Sequence, residues 1–128
     1  MNSEETVLRA AYDAFGRGDI AGFLAVCTPD VTFDIPGNGL LSGHLSKDAF
    51  LAKLGPAMSA VGGTFREEVL GMTVSDGAGA VLTAQRAERD GALHTWHSVH
   101  WWRFQDGKLA ALRELIDDAA AFDRAWHR

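Results

Sequence analysis

The chain has 128 residues, 47% of them hydrophobic and 23% charged, which fits one soluble domain spanning 1-128 around one core. A formal net charge of -5 and the lack of any basic run exclude nucleic acid as the main partner, because phosphate binding needs a basic patch. No apolar run reaches membrane-spanning length, and a single cysteine excludes an internal disulfide or a cysteine metal cluster.

The opening MNSEETV has no basic segment followed by an apolar run, so no signal peptide is read there and the cytoplasm is the expected location. Ser3 can cap a first helix, with Glu4 and Glu5 at the positive end of its dipole and Val7, Leu8, Ala11 and Phe15 at helical spacing. Gly16-Arg17-Gly18 ends it, and Asp19 can cap a second helix with Ile20, Phe23, Leu24 and Cys27 on one face. Cys27 then reads as a buried thiol in a reducing compartment. Thr28-Pro29 stops that helix, residues 31–35 alternate as a strand, and Pro36 ends it. A glycine-rich loop covers 37–43. Ser46 starts a third helix with Phe50, Leu54 and Met58 on one side, which Gly55-Pro56 should kink or split.

Three Asp-Gly pairs follow, at Asp76-Gly77, Asp90-Gly91 and Asp106-Gly107. With runs rich in Val, Thr, Leu and Trp between them, they predict four long antiparallel strands over 63–75, 78–89, 92–105 and 108–116. Asp117 or Asp118 can cap a last helix holding Phe122 and Trp126. Helices first and a meander after imply an α+β domain whose bent sheet wraps the helices as a cone with a pocket at its open end.

The run from His94 to Asp117 organises the chain. Alternation puts Trp96, Ser98, His100, Trp102 and Phe104 on one face and His97, Val99, Trp101 and Arg103 on the other. Both faces are aromatic, so both should be covered: one lines a pocket and the other meets a second subunit through Val99 and Trp101. The register of the last hairpin decides what faces His100. A two-residue Asp106-Gly107 loop pairs Gln105 with Lys108 and places Arg113 on the His100 face; a three-residue loop with a glycine bulge places Glu114 there.

The runs AYDAFGRGDIAGFLAVCTPDVTFDIPG, LSGHLSKDAFLAKL and HWWRFQDGKLAALRELID resemble the nuclear transport factor two-like superfamily, and within it the SnoaL-like and ketosteroid-isomerase-like bacterial proteins. The resemblance covers nearly the whole chain. It implies the cone-shaped α+β (cystatin-like) fold, a homodimer packed through the sheet, and a choice of isomerase, cyclase, hydrolase, dehydratase or plain binding function. It favours the hairpin register with Glu114 inside. It also places His100 where steroid isomerases keep an oxyanion-stabilising acid, and Arg113-Glu114-Leu115-Ile116-Asp117 is similar to a catalytic run of epoxide hydrolases. Steroid isomerases carry their base just before the proline that matches Pro36. Here that position is Ile35, with Asp34 one residue earlier and pointing the other way on a regular strand.

Four residues are therefore catalytic candidates. His100 and Glu114 could form an acid–base pair, and Asp34 or Tyr12, the single tyrosine, could assist. Each has a structural alternative: a core histidine, a surface ion pair, a strand-end aspartate, a packing aromatic. Trp96, Trp102, Phe50, Leu54 and Met58 would hold an apolar ligand, or fill the cone completely. If Arg86 and Glu88 point outward, Thr83, Gln85 and Ala87 point inward. His94, His97 and His100 do not suit a metal, since His97 faces away and the other two lie roughly 20 Å apart along a strand. His44 reads as solvated and His127 as a mobile terminal residue. No cofactor is expected. The two functional expectations are a cofactor-free isomerase, cyclase or hydratase acting on a small hydrophobic molecule, and a non-catalytic ligand-binding or dimerisation module.

Overall fold

The computed structural model describes residues 3–128, so the N-terminal reading of Met1 and Asn2 lies outside the described residues. Ser3 is already the first residue of α1 (Ser3–Gly16), whose buried face is Leu8, Ala11 and Ala14. Asp19 caps α2 (Ile20–Ala25), its carboxylate accepting from Gly22 N at 2.9 Å. Ser46 caps α3 (Lys47–Ala60) in the same way, and Asp118 caps α4 (Ala119–Trp126).

Six strands form one sheet: β1 (Cys27–Ile35), β2 (Gly43–Ser46), β3 (Arg66–Ser75), β4 (Ala78–Arg89), β5 (Ala92–Gln105) and β6 (Lys108–Ile116). Their order is β2-β1-β6-β5-β4-β3, with β1 parallel to β6 and every other pairing antiparallel. The fold is the α+β, cystatin-like cone expected. Each Asp-Gly pair has positive φ at both residues, the mark of a type I′ turn, which is why the long strands end where the sequence places them.

Three local expectations change. Cys27 is the first residue of β1 rather than part of α2, and Pro29 sits in an irregular stretch of β1 where pairing to β6 slips, so its missing N–H breaks no regular ladder. Pro56 lies within an unbroken α3; the helix is not split there. Gly43–Ser46, expected as loop and cap, pairs with β1 as an edge strand.

The last hairpin combines the two registers considered. Gln105 pairs with Lys108 across a two-residue turn, but Phe104 pairs with Leu109 and Arg103 with Ala111. Ala110 is therefore an extra residue in β6, and this bulge brings His100 opposite Glu114. A second bulge lies in β3, where Val69 pairs with Thr83 and Gly71 with Leu82, leaving Leu70 unpaired.

The inner face of the sheet and the helices enclose an aromatic core. Phe33 stacks on Phe50 with centroids 4.1 Å apart, and Trp102 meets Phe23 and Phe33 edge-on. Trp96 meets Phe122 and Trp126 of α4 edge-on. The outer face carries a row of apolar side chains, because Leu82, Val99 and Leu115 are neighbours across β4, β5 and β6. Leu82, Trp101 and Leu115 are 42%, 46% and 50% exposed in the single chain.

Helix α1 approaches the sheet through Gly79, which is buried on β4; a methyl group there would stand 2.8 Å from Leu8 Cδ2. Gly79→Ala should therefore destabilise the fold by about 1–3 kcal/mol through overpacking. Urea unfolding would measure it, as a lower midpoint with an unchanged slope.

Candidate active site

Within the cone lies a cavity of about 90 Å³. Phe33, Phe50, Leu54, Met58 and Leu112 form apolar walls, and Tyr12, Glu67, Gln85, His100, Trp102 and Glu114 form the polar end. The cone is not filled. Among its lining residues there is no lysine or arginine.

Four elements converge on His100. From β6, Glu114 Oε2 lies 2.9 Å from His100 Nε2. From α1, the Tyr12 hydroxyl lies 2.6 Å from His100 Nδ1 and accepts a hydrogen bond from Trp102 Nε1 at 2.9 Å. From β3, Glu67 Oε2 stands 4.0 Å from His100 Nδ1. From β4, the Gln85 amide donates to Glu67 Oε2 at 2.8 Å and to Thr83 Oγ1 at 3.0 Å. An indole nitrogen only donates, so the Trp96 Nε1–Gln85 Oε1 bond of 3.0 Å fixes which end of that amide is oxygen. Both amide hydrogens are then used, and the 3.5 Å approach of Gln85 Nε2 to His100 Nε2 is a contact rather than a bond.

Burial in an apolar cone sets the proton affinities. Desolvation pushes His100 down, but the hydrogen bond and charge of Glu114, with the charge of Glu67, outweigh it and leave the imidazole above its ordinary value. Glu67 is raised by burial first, against the opposing charge of His100, with Glu114 adding to the rise and Gln85 opposing it. Tyr12 is raised well above its ordinary value, chiefly by burial and then by Glu67, so it stays a neutral phenol.

The expected residues fall into three groups. His100, Glu114 and Tyr12 meet at the polar end, and Trp102, Phe50, Leu54 and Met58 line the cavity. Asp34 is not in the site: the regular end of β1 turns Phe33 and Ile35 inward and Asp34 outward, where it pairs with His44 at 3.3 Å. Trp96 does not line the cavity but packs behind it against α4, its N–H spent on Gln85. His97 pairs with Asp117 on the outer face. Arg86 and Glu88 point outward and Gln85 inward, as alternation requires. Glu67 escaped the sequence reading; its only signal is the alternation of β3, and the Leu70 bulge inverts that.

A nuclear transport factor two-like cone with a buried acid–imidazole–phenol cluster is the class these features define. The SnoaL-like domain family matches residues 8–112, and the chain belongs to it. It is 31% identical over 124 residues to an uncharacterized protein of Mycobacterium bovis, covering 94% of this chain and 93% of that one. Two solved structures are similar. One is an NTF2-like protein of unknown function from Burkholderia pseudomallei, with 26% identity, a TM-score of 0.87 and full coverage of both chains at 100%. The other is TerC co-crystallized with polyporic acid, with 24% identity, a TM-score of 0.81 and coverage of 97% of this chain and 98% of that one. None of the helices among the described residues is long and apolar enough to cross a membrane.

The upward shifts of His100, Glu67 and Tyr12 mean that the folded chain holds these protons more tightly than the unfolded one. Stability from each is fully present below its unfolded value and is lost as pH rises through the raised folded value. The melting temperature should fall from slightly acid to alkaline pH. Glu67→Gln, which cannot ionise, should flatten that slope. Thermal melts followed by circular dichroism across a pH series would check both.

Proposed function

We propose that this protein is a cofactor-free acid–base enzyme that isomerises, cyclises or hydrates a small, uncharged, apolar molecule. The observation that carries the reading is the Tyr12–His100–Glu114 chain at the polar end of an otherwise apolar cavity. Proton abstraction beside a carbonyl requires a base and an oxyanion donor, and this chain supplies both. With one proton on the ring, His100 Nε2–H donates to Glu114 and Nδ1 accepts from Tyr12 O–H. A second proton on the ring reverses the Tyr12 bond: Nδ1–H and Trp102 N–H both donate to the phenol oxygen, and the phenol O–H is free to turn to a ligand. Glu114 keeps Oε1 outside these bonds, as a base. The likeness to TerC, crystallised with polyporic acid, supports a small organic molecule as the ligand of this cavity.

The competing reading, a non-catalytic binding module, draws support from Ile35 and the outward Asp34, which leave no acid where steroid isomerases hold theirs. One probe separates the two. In heavy water the protein should accelerate deuterium exchange at the activated carbon of 2-tetralone, an uncharged bicyclic ketone. Glu114→Gln should slow that exchange on the order of 100-fold. If the wild type gives no exchange yet binds the uncharged dye N-phenyl-1-naphthylamine, with Glu114→Gln binding it equally well, the binding-module reading replaces the enzyme.

We also propose a homodimer formed through the outer sheet face, where Leu82, Val99, Trp101 and Leu115 make a continuous apolar patch. Its lone free thiol fits a reducing compartment, and on that ground we read the protein as cytoplasmic. Light scattering should give a dimer mass that Trp101→Glu reduces to a monomer; a wild-type monomer at high concentration would end the idea.

A further inference from the structure

Glu67 is the largely buried acid that the chain above leaves unused. It lines the cavity from β3, directly across the strand pair from Gln85. Its Oε2 is held by the Gln85 amide, whose direction Trp96 enforces from behind, while Oε1 takes no part in these bonds. The titratable groups facing this end of the cavity are Tyr12 from α1, Glu67 from β3, His100 from β5 and Glu114 from β6. One imidazolium can balance one carboxylate, and Glu114 has the direct bond to it. With no basic side chain lining the cavity, a second ionised carboxylate would be an unpaired charge in an apolar space. The arrangement of least cost is an ion pair of His100 and Glu114 beside a neutral carboxylic acid.

We propose that Glu67 is a further catalytic residue, the acid that gives a proton to a substrate oxygen while Glu114 takes one from carbon, and that Gln85 and Trp96 are its positioning residues. Of two carboxyls at one site, the one bonded to the imidazolium is placed to take a proton and the one without a cationic partner to give one. The step balances without a redox partner. Glu114 removes the proton beside a carbonyl, and the C–H pair becomes the carbon–carbon π bond. The carbonyl π pair takes the Glu67 proton, leaving an enol, ionised Glu67 and protonated Glu114. Return of the enol proton to Glu67, with protonation of the same or another carbon by Glu114, restores the site and either exchanges the hydrogen or moves the double bond.

This assignment rests on the acid–base reading, and the test separates the two. In protein labelled with carbon-13 at glutamate carboxyls, one resonance should titrate well above the ordinary glutamate range and vanish in Glu67→Gln. Glu67→Asp, which keeps an acid, makes the assignment should the Gln variant not fold. A Glu67 resonance titrating in the ordinary range overturns the proposal by itself. With 2-tetralone, Glu67→Gln should slow exchange on the order of 100-fold while N-phenyl-1-naphthylamine binds as before. Trp96→Phe keeps an aromatic side chain in a smaller form and removes the indole N–H, so Gln85 can turn and the alkaline limb of the exchange profile should shift. Full exchange in Glu67→Gln would discard Glu67 and leave the Glu114 reading intact. No exchange in the wild type would discard both.

Discussion

The hydrogen-bonded chain from Glu114 through His100 to Tyr12 is the interaction on which the interior depends. It joins β6, β5 and α1 inside a space walled by phenylalanine and leucine, where an unpartnered imidazole or carboxylate would be costly. Every member has its partner on a rigid element, so the chain also fixes how α1 lies against the sheet. Trp102 serves both purposes: its ring fills the core against Phe23 and Phe33, while its N–H satisfies the phenol oxygen. A polar network of this kind tolerates the removal of one partner poorly, because the remaining groups are left buried and unsatisfied.

The layering of the inner face shows how tryptophans at alternate positions on one strand take different roles. Trp102 meets the cavity, whereas Trp96 is enclosed by Phe122 and Trp126 and reaches the site only through Gln85. Alternation says which face a side chain shares. How far along the cone that side chain sits is decided by α4, which covers the end of β5 that carries Trp96. Sharing a face therefore made Trp96 a reasonable ligand-binding candidate, and only the packing of the last helix removes it.

Much of the architecture was legible because its punctuation is chemical. Asp-Gly pairs demand left-handed backbone at both residues, so the ends of β4, β5 and β6 fall where the sequence reading places them, and Asp19, Ser46 and Asp118 cap their helices by side-chain geometry. What failed was what depends on pairing at a distance. β2 is short and exists only because β1 lies beside it. The family resemblance implies an inward Glu114 by way of a bulge at the glycine; the turn is two residues long and the bulge is at Ala110. Counted back from Asp76-Gly77 without a bulge, Glu68 would face Gln85 and Glu67 would be outside. The unpaired Leu70 reverses this, and no local residue type announces it.

Each buried carboxyl thus owes its direction to one supernumerary backbone residue between it and the nearest tight turn. Were that residue to take a place in the ladder instead of bulging, Glu68 would stand where Glu67 does, or Arg113 where Glu114 does, at the same place in the cavity. The charge presented to a ligand would be retained in the first case and inverted in the second, with no side chain substituted. A gap at Leu70 or Ala110 would leave both carboxyls where they are, whereas a gap elsewhere between turn and carboxyl, with the bulge kept, would change the chemistry of the cavity, so among related chains the meaning of a gap depends on whether it falls on the bulge.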